Sequence, residues 1–172
     1  MKGRDIMCFC MKKRNDYKVY YHGTKSKNIE GIIFNQKLIQ GEKNLQQSED
    51  GIIYIVDDEH FYDAIYYSKD KYAYTFVRIE VFINSSLYEN FKIVEKEVDF
   101  LGILAKYKHI EYKGEIDFSD ESIKSAKIVS FKSGTKEYNN FFCLYTSNEF
   151  DKAKAMVDNA SGYDLKVDLS KI

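Results

Sequence analysis

Apolar and aromatic positions fall in short runs whose spacing changes repeatedly along the chain. Tyr17 to Tyr21 is an aromatic and β-branched run, which predicts a short strand ending at His22. Lys25-Ser26-Lys27-Asn28 is turn-like, and Ile29, Ile32 and Ile33 then recur at helical spacing. A helix is therefore predicted over 29–35, with Asn28 as its cap. Leu38-Ile39 makes a small apolar step, and 42–50 reads as a polar surface loop. Gly51 to Val56 is continuously apolar, the pattern of a strand buried on both faces or nearly so. Asp57-Asp58-Glu59 breaks it and starts a helix over 59–68, with acids in the first turn where the helix dipole favours them. Tyr72 to Ile83 alternates and predicts a long strand.

The second half is less regular. Residues 85–91 read as a turn with a short helix, 92–98 as a charged connection, and 100–105 as an apolar element of either type. A strand follows over 107–112, then a turn or bulge at Lys113-Gly114, renewed pairing over 115–118, and a core strand at 126–131. The remainder reads as a strand over 140–145, a helix over 148–159 capped by Asn148 and stopped near Gly162, and a strand over 163–169. Helices do not alternate regularly with strands, so the expected class is α+β with mainly antiparallel pairing.

Composition narrows the function classes. At 172 residues, 44% hydrophobic and 31% charged, the chain is most simply one globular domain able to bury a core. A net charge of −1 gives no global field to attract a polyanion, which argues against a dedicated duplex-DNA binder. Proline is absent and lysine greatly outnumbers arginine, which occurs at Arg4, Arg14 and Arg78. With abundant Ile, Asn, Tyr and Phe, this reads as the codon bias of an AT-rich bacterial or phage genome. Cys8, Cys10 and Cys143 form neither a disulfide framework nor a paired zinc pattern, so no metal is expected. Ile6 to Met11 is too short and broken for a signal-peptide core, and no run reaches the ~20 residues of a membrane span. The expected location is cytoplasmic, or a target cell reached without a cleavable signal.

The candidate chemistry starts at His22-Gly23-Thr24. Histidine offers one ring nitrogen as donor and one as acceptor, and glycine lets another group approach the main chain closely. Two later segments give the triplet company. Gly51-Ile52-Ile53-Tyr54-Ile55 is followed by Ala64-Ile65-Tyr66, and Glu111-Tyr112-Lys113-Gly114-Glu115-Ile116 comes after both. In that order and spacing, residues 17 to 131 resemble the His-Tyr-Glu class of ADP-ribosyltransferases, which includes the poly(ADP-ribose) polymerases and small bacterial toxins.

The resemblance implies an ADP-ribosyltransferase-like split antiparallel β-sheet core over 17–133 with short helices. A loosely ordered tail (1–16) would precede it, and a strand-helix-strand appendage (134–172) would pack on the same domain. It implies NAD as substrate. Tyr54 and Tyr66 would sandwich the flat, cationic nicotinamide. The Gly23 backbone would hold the carboxamide, His22 a hydroxyl of the adenine-side ribose, and Thr24 would assist binding. Glu111 would hydrogen-bond the nicotinamide-side ribose and stabilise positive charge at its anomeric carbon, with Glu115 as the alternative acid. His60 and His109 read as surface histidines and receive no role. Lys37 and Asp63 stand where the polymerase branch has glycine and serine, and Tyr66 requires a one-residue insertion. These departures fit mono-ADP-ribosylation of a protein or nucleic-acid acceptor, by a toxin, effector or phage-conflict protein, better than polymer synthesis. An inhibitor or antitoxin is the partner such a protein would meet. The alternatives are a catalytically degenerate member that binds NAD, another nucleotide or a partner, and an RNA 2′-phosphotransferase of the same fold.

Overall fold

The computed structural model describes residues 16–39 and 51–166. The tail up to residue 15, with Cys8, Cys10, Arg4 and Arg14, the loop expected over 42–50, and the end of the last strand lie outside them. In chain order the elements are β1 (Tyr17–Thr24), a 3-10 turn (Ser26–Asn28), α1 (Ile29–Asn35), β2 (Lys37–Leu38), β3 (Ile52–Asp57) and a second 3-10 turn (Asp58–His60). Then follow α2 (Phe61–Ser68), β4 (Ala73–Phe82), α3 (Ser86–Glu89), β5 (Lys92–Phe100), β6 (Ile103–Lys113) and β7 (Ile116–Asp117). The chain continues through β8 (Ile123–Lys132), α4 (Lys136–Thr146), α5 (Phe150–Asn159) and β9 (Tyr163–Lys166). Seven strands form one sheet in the order β5-β6-β3-β1-β4-β8-β9, and β2 pairs with β7 in a separate ribbon. The pairings are antiparallel, so the class is α+β.

Strand periodicity sorts side chains onto the two faces of this sheet. Val77, Ile79 and Val81 of β4 join Tyr20, Ile53, Ile55 and Ile110 on one face, where Ile32 of α1 and Leu87 of α3 cover them. Tyr74 and Phe76 join Tyr21 and Val56 on the other, under Ile65 of α2, Phe141 of α4 and Val157 of α5. Each such burial is worth roughly 1.5–3 kcal/mol. Helices α4 and α5 share this second core, while β9 extends the sheet beside β8 and turns Leu165 to the first.

Four expectations need correction. Residues 92–98 are not a connection but most of β5, paired along its length with β6. Its charges have partners there: Glu95 lies opposite Lys108, and Glu97 opposite Lys106 with an ion pair at 3.7 Å. Opposite charges across a ladder favour pairing, and a charged edge resists further strand addition. Residues 140–145 are helical, within α4. Tyr138, Phe141, Leu144 and Tyr145 pack into the second core at helical spacing, and the Thr135 hydroxyl caps the helix by accepting from the Tyr138 N–H. Asn148 does not cap α5; it sits at φ +57°, a left-handed conformation that asparagine tolerates, and Glu149 holds the cap position. Finally, β1 does not end at His22. Its ladder with β4 continues through His22, Gly23 and Thr24, opposite Val77, Phe76 and Thr75.

The other edge of β1 behaves differently. With β3 it pairs at Tyr20↔Asp57 and Tyr21↔Val56 alone. From His22 onward the two strands part, and the sheet opens there.

Candidate functional site

The opening is bridged by a side chain. His22 is half-buried, and its Nδ1 lies 2.7 Å from the Tyr54 carbonyl oxygen. A carbonyl can only accept, so Nδ1 carries the proton and Nε2 is left as an acceptor. Burial disfavours the charged ring and holds its pKa below the ordinary histidine value, outweighing the Tyr54 carbonyl, which favours the imidazolium. His22 is therefore a neutral imidazole at neutral pH, fit to accept a hydrogen bond from a hydroxyl.

Tyr54 stands on β3 directly opposite Glu111 on β6. Of the strand expected to be buried on both faces, Ile53, Ile55 and Val56 are buried, but Tyr54 is half-buried. The two-residue repeat of β6 puts His109 on the face that carries Glu111. His109 Nε2 lies 3.1 Å from Glu111 Oε1, with side chains 20% and 18% exposed. The His109 ring also meets the Tyr54 ring edge-on, centroids 5.3 Å apart at 64°. His109 is thus no surface histidine but a member of a Tyr54–His109–Glu111 cluster. His60 is not free at the surface either: its Nδ1 lies 2.7 Å from Asp57 Oδ1.

Helix α2 closes the cluster from the side. Burial raises the Asp63 carboxyl pKa, opposed by the nearby imidazoles of His60 and His109. Burial likewise raises the Tyr67 phenol, helped by Tyr66, Asp63 and Tyr54. The tyrosine of α2 that feels Tyr54 is accordingly Tyr67. Tyr66 is 69% exposed and packs edge-on against Tyr67 at 5.2 Å.

The remaining candidates divide. Gly23 has a reason of its own: a Cβ built there would lie 2.1 Å from the Ala64 carbonyl oxygen and 2.8 Å from the Ser68 nitrogen. The close approach that glycine permits is made by the α2 backbone. Thr24 is buried, and its hydroxyl accepts from the Asn28 side-chain amide at 3.1 Å. Glu115 lies past the Gly114 turn, its side chain 58% exposed, paired at 3.2 Å with Lys37. It belongs beside the β2–β7 ribbon, whereas Glu111 faces Tyr54.

His109, Asp63 and Tyr67 were not among the residues expected at the site. For His109 the signal was present: two residues before an acid on one strand means the same face. Among the described residues no grouping of His, Cys, Asp and Glu could hold a metal ion, and no helix is long and apolar enough to cross a membrane. No protein-family model, curated protein or solved structure matches the chain.

Proposed function

We propose that this chain is a mono-ADP-ribosyltransferase that cleaves NAD and passes ADP-ribose to a protein or nucleic-acid acceptor. The observation that carries the reading is that three separated motifs meet at Tyr54 beside the break in the sheet, with Glu111 on the face that α2 covers and His22 on the opposite face beside Val77. Glu111 sits across from Tyr54, and His22 is bonded to the Tyr54 carbonyl. An antiparallel sheet that opens between β1 and β3 is also what a split ADP-ribosyltransferase sheet requires. In this reading Tyr54 holds the cationic nicotinamide by its ring face, and the neutral His22 accepts from a ribose hydroxyl. Glu111 stabilises positive charge as the nicotinamide–ribose bond breaks.

The test is nicotinamide release from NAD by the purified chain. Glu111→Gln should lower kcat by about 10²–10³-fold, the cost of removing one preorganised charge-stabilising group, with NAD binding nearly retained. Tyr54→Ala should weaken NAD binding itself. Glu115→Gln should leave release intact; release that survives the Glu111 change and vanishes with the Glu115 change would misplace the acid.

A second reading, a degenerate member that binds NAD without turnover, is favoured by the exposure of Tyr66. NAD binding without release in the wild type would establish it. The RNA 2′-phosphotransferase reading has less support. Arg78, the sole arginine among the described residues, is held by Asp158 at 2.8 Å and Glu80 at 3.3 Å, so it is not offered to a phosphate.

A further inference from the structure

We propose that His109 is the base that takes the proton from the incoming acceptor, and hence that the acceptor is a neutral O–H or N–H nucleophile rather than a carboxylate. The proposal rests on the NAD-cleaving reading of the same site. A carboxylate oxygen accepts, so the 3.1 Å contact between His109 Nε2 and Glu111 Oε1 places the ring proton on Nε2. Nδ1 is then the lone-pair nitrogen, and it has no hydrogen-bond partner among the described residues. This is the arrangement of an oriented general base: one nitrogen fixed by a carboxylate, the other available to a nucleophile.

The surroundings suit the charge that base catalysis would create. Glu111 adjoins His109 on its own strand, Asp63 approaches from α2, and Tyr54 lies beside it on β3. From β5 the uncharged Val94 stands opposite His109, with Lys92, a cation on that face, opposite Glu111. Two carboxylates can therefore stabilise the imidazolium as it forms. The contact with Tyr54 also puts the base next to the ring that would hold the leaving nicotinamide.

The step balances without an oxidant or reductant. The bond between the ribose anomeric carbon and the nicotinamide nitrogen breaks, and its electron pair leaves with nicotinamide, which becomes neutral. A lone pair of the acceptor oxygen or nitrogen forms the new bond to that carbon. The acceptor proton passes to Nδ1 of His109 and from there to water. An acceptor that is already anionic has no proton to give and would make His109 dispensable.

Two simple nucleophiles separate these cases: methanol, which must lose a proton, and azide, which need not. Nicotinamide release and the ribosyl products would be followed for the wild type, His109→Ala and His109→Gln. The glutamine variant keeps a donor towards Glu111 but cannot act as base. Both variants should lose about 10²-fold or more with methanol, the usual contribution of a general base, and azide should restore release to within about tenfold of wild type. Equal losses with both nucleophiles would make His109 a support for Glu111 and overturn the proposal. So would wild-type rates in His109→Gln. A wild type that releases no nicotinamide with either nucleophile would remove the NAD-cleaving reading, and the base with it. The first two results would leave that reading standing.

Discussion

Gly23 can owe its identity to a ligand or to a helix, and one substitution decides between them. In Gly23→Ala the new methyl would sit 2.1 Å from one backbone atom of α2 and 2.8 Å from another. Ordinary contact begins at 3.4 Å, so α2 must retreat by roughly an ångström, and backbone cannot rotate out of the way as a side-chain tip can. Forced insertion into a packed interior costs about 1–3 kcal/mol, and a clash with main chain belongs at the upper end. For a domain of this size, 2–3 kcal/mol lowers the melting midpoint by roughly 5–10 °C. Gly31→Ala is the internal control, because nothing lies within 4 Å of its Cβ position in α1. There the methyl should stabilise by about 0.5–1 kcal/mol, the helix preference of alanine over glycine. Thermal and urea unfolding followed by far-ultraviolet circular dichroism would measure both. A Gly23→Ala protein that melts with the wild type yet fails to bind NAD would refute the packing argument and return Gly23 to the ligand.

Three further outcomes are expected. Asp158 accepts from the Tyr21 hydroxyl at 2.6 Å and from Arg78 Nε at 2.8 Å. Asp158→Ala leaves a largely buried guanidinium with Glu80 alone and should cost about 2–3 kcal/mol in urea unfolding, discounted for partial exposure of the carboxylate; a loss under half a kcal/mol would show the network to be idle. Because the folded chain holds His22 below its ordinary pKa of 6.5, the unfolded chain binds the extra proton, so stability is full above pH 6.5 and falls as the pH drops below it. His22→Asn should flatten that decline in a series of melting midpoints; an unchanged slope would assign it to other groups. Cys143 is exposed on α4, so a Cys8→Ser/Cys10→Ser chain should react with a thiol reagent while folded at close to its denatured rate, whereas protection would argue for the strand first expected there.

What could be read from the sequence, and what could not, follows from how local each signal is. The helix over 29–35 and the long alternating strand β4 carry their periods in their own residues, and both appear where the pattern put them. Strand β5 failed because its stability is not local: Glu95 and Glu97 become favourable only once Lys108 and Lys106 stand opposite. Helix α4 failed for a related reason. Phe141, Leu144 and Tyr145 form a run whose aromatic content suggests a strand, and only the position of Tyr138 one turn earlier discloses the helical face. At the candidate site, the motif favours Glu111 over Glu115 by its place before Tyr112-Lys113-Gly114, but the sequence does not show what either acid faces. Register separates the two, setting Glu111 against Tyr54 and leaving Glu115 to Lys37.

That register is itself a property of the core. Ile110 is buried on the face opposite Glu111, packed with Ile53 and Ile55, and pairs with Ile55 across the ladder. Below the candidate acid, the Gly114 N–H closes the strand pair on the Gly51 carbonyl at 2.7 Å. Sliding β6 by one residue would turn Ile110 outward and drive Glu111 into the hydrocarbon side of the sheet, because side chains alternate with a period of two. Exposing one isoleucine costs roughly 2 kcal/mol, and burying an unpaired carboxylate costs more. The opposition of Tyr54 and Glu111 is therefore enforced from behind by apolar packing, and no bond between the two side chains is needed to maintain it. A substitution at Ile110 that loosens the register should disturb the proposed NAD cleavage, read as nicotinamide release, from the far face of the sheet. Ile110→Val, which keeps the face apolar, should not.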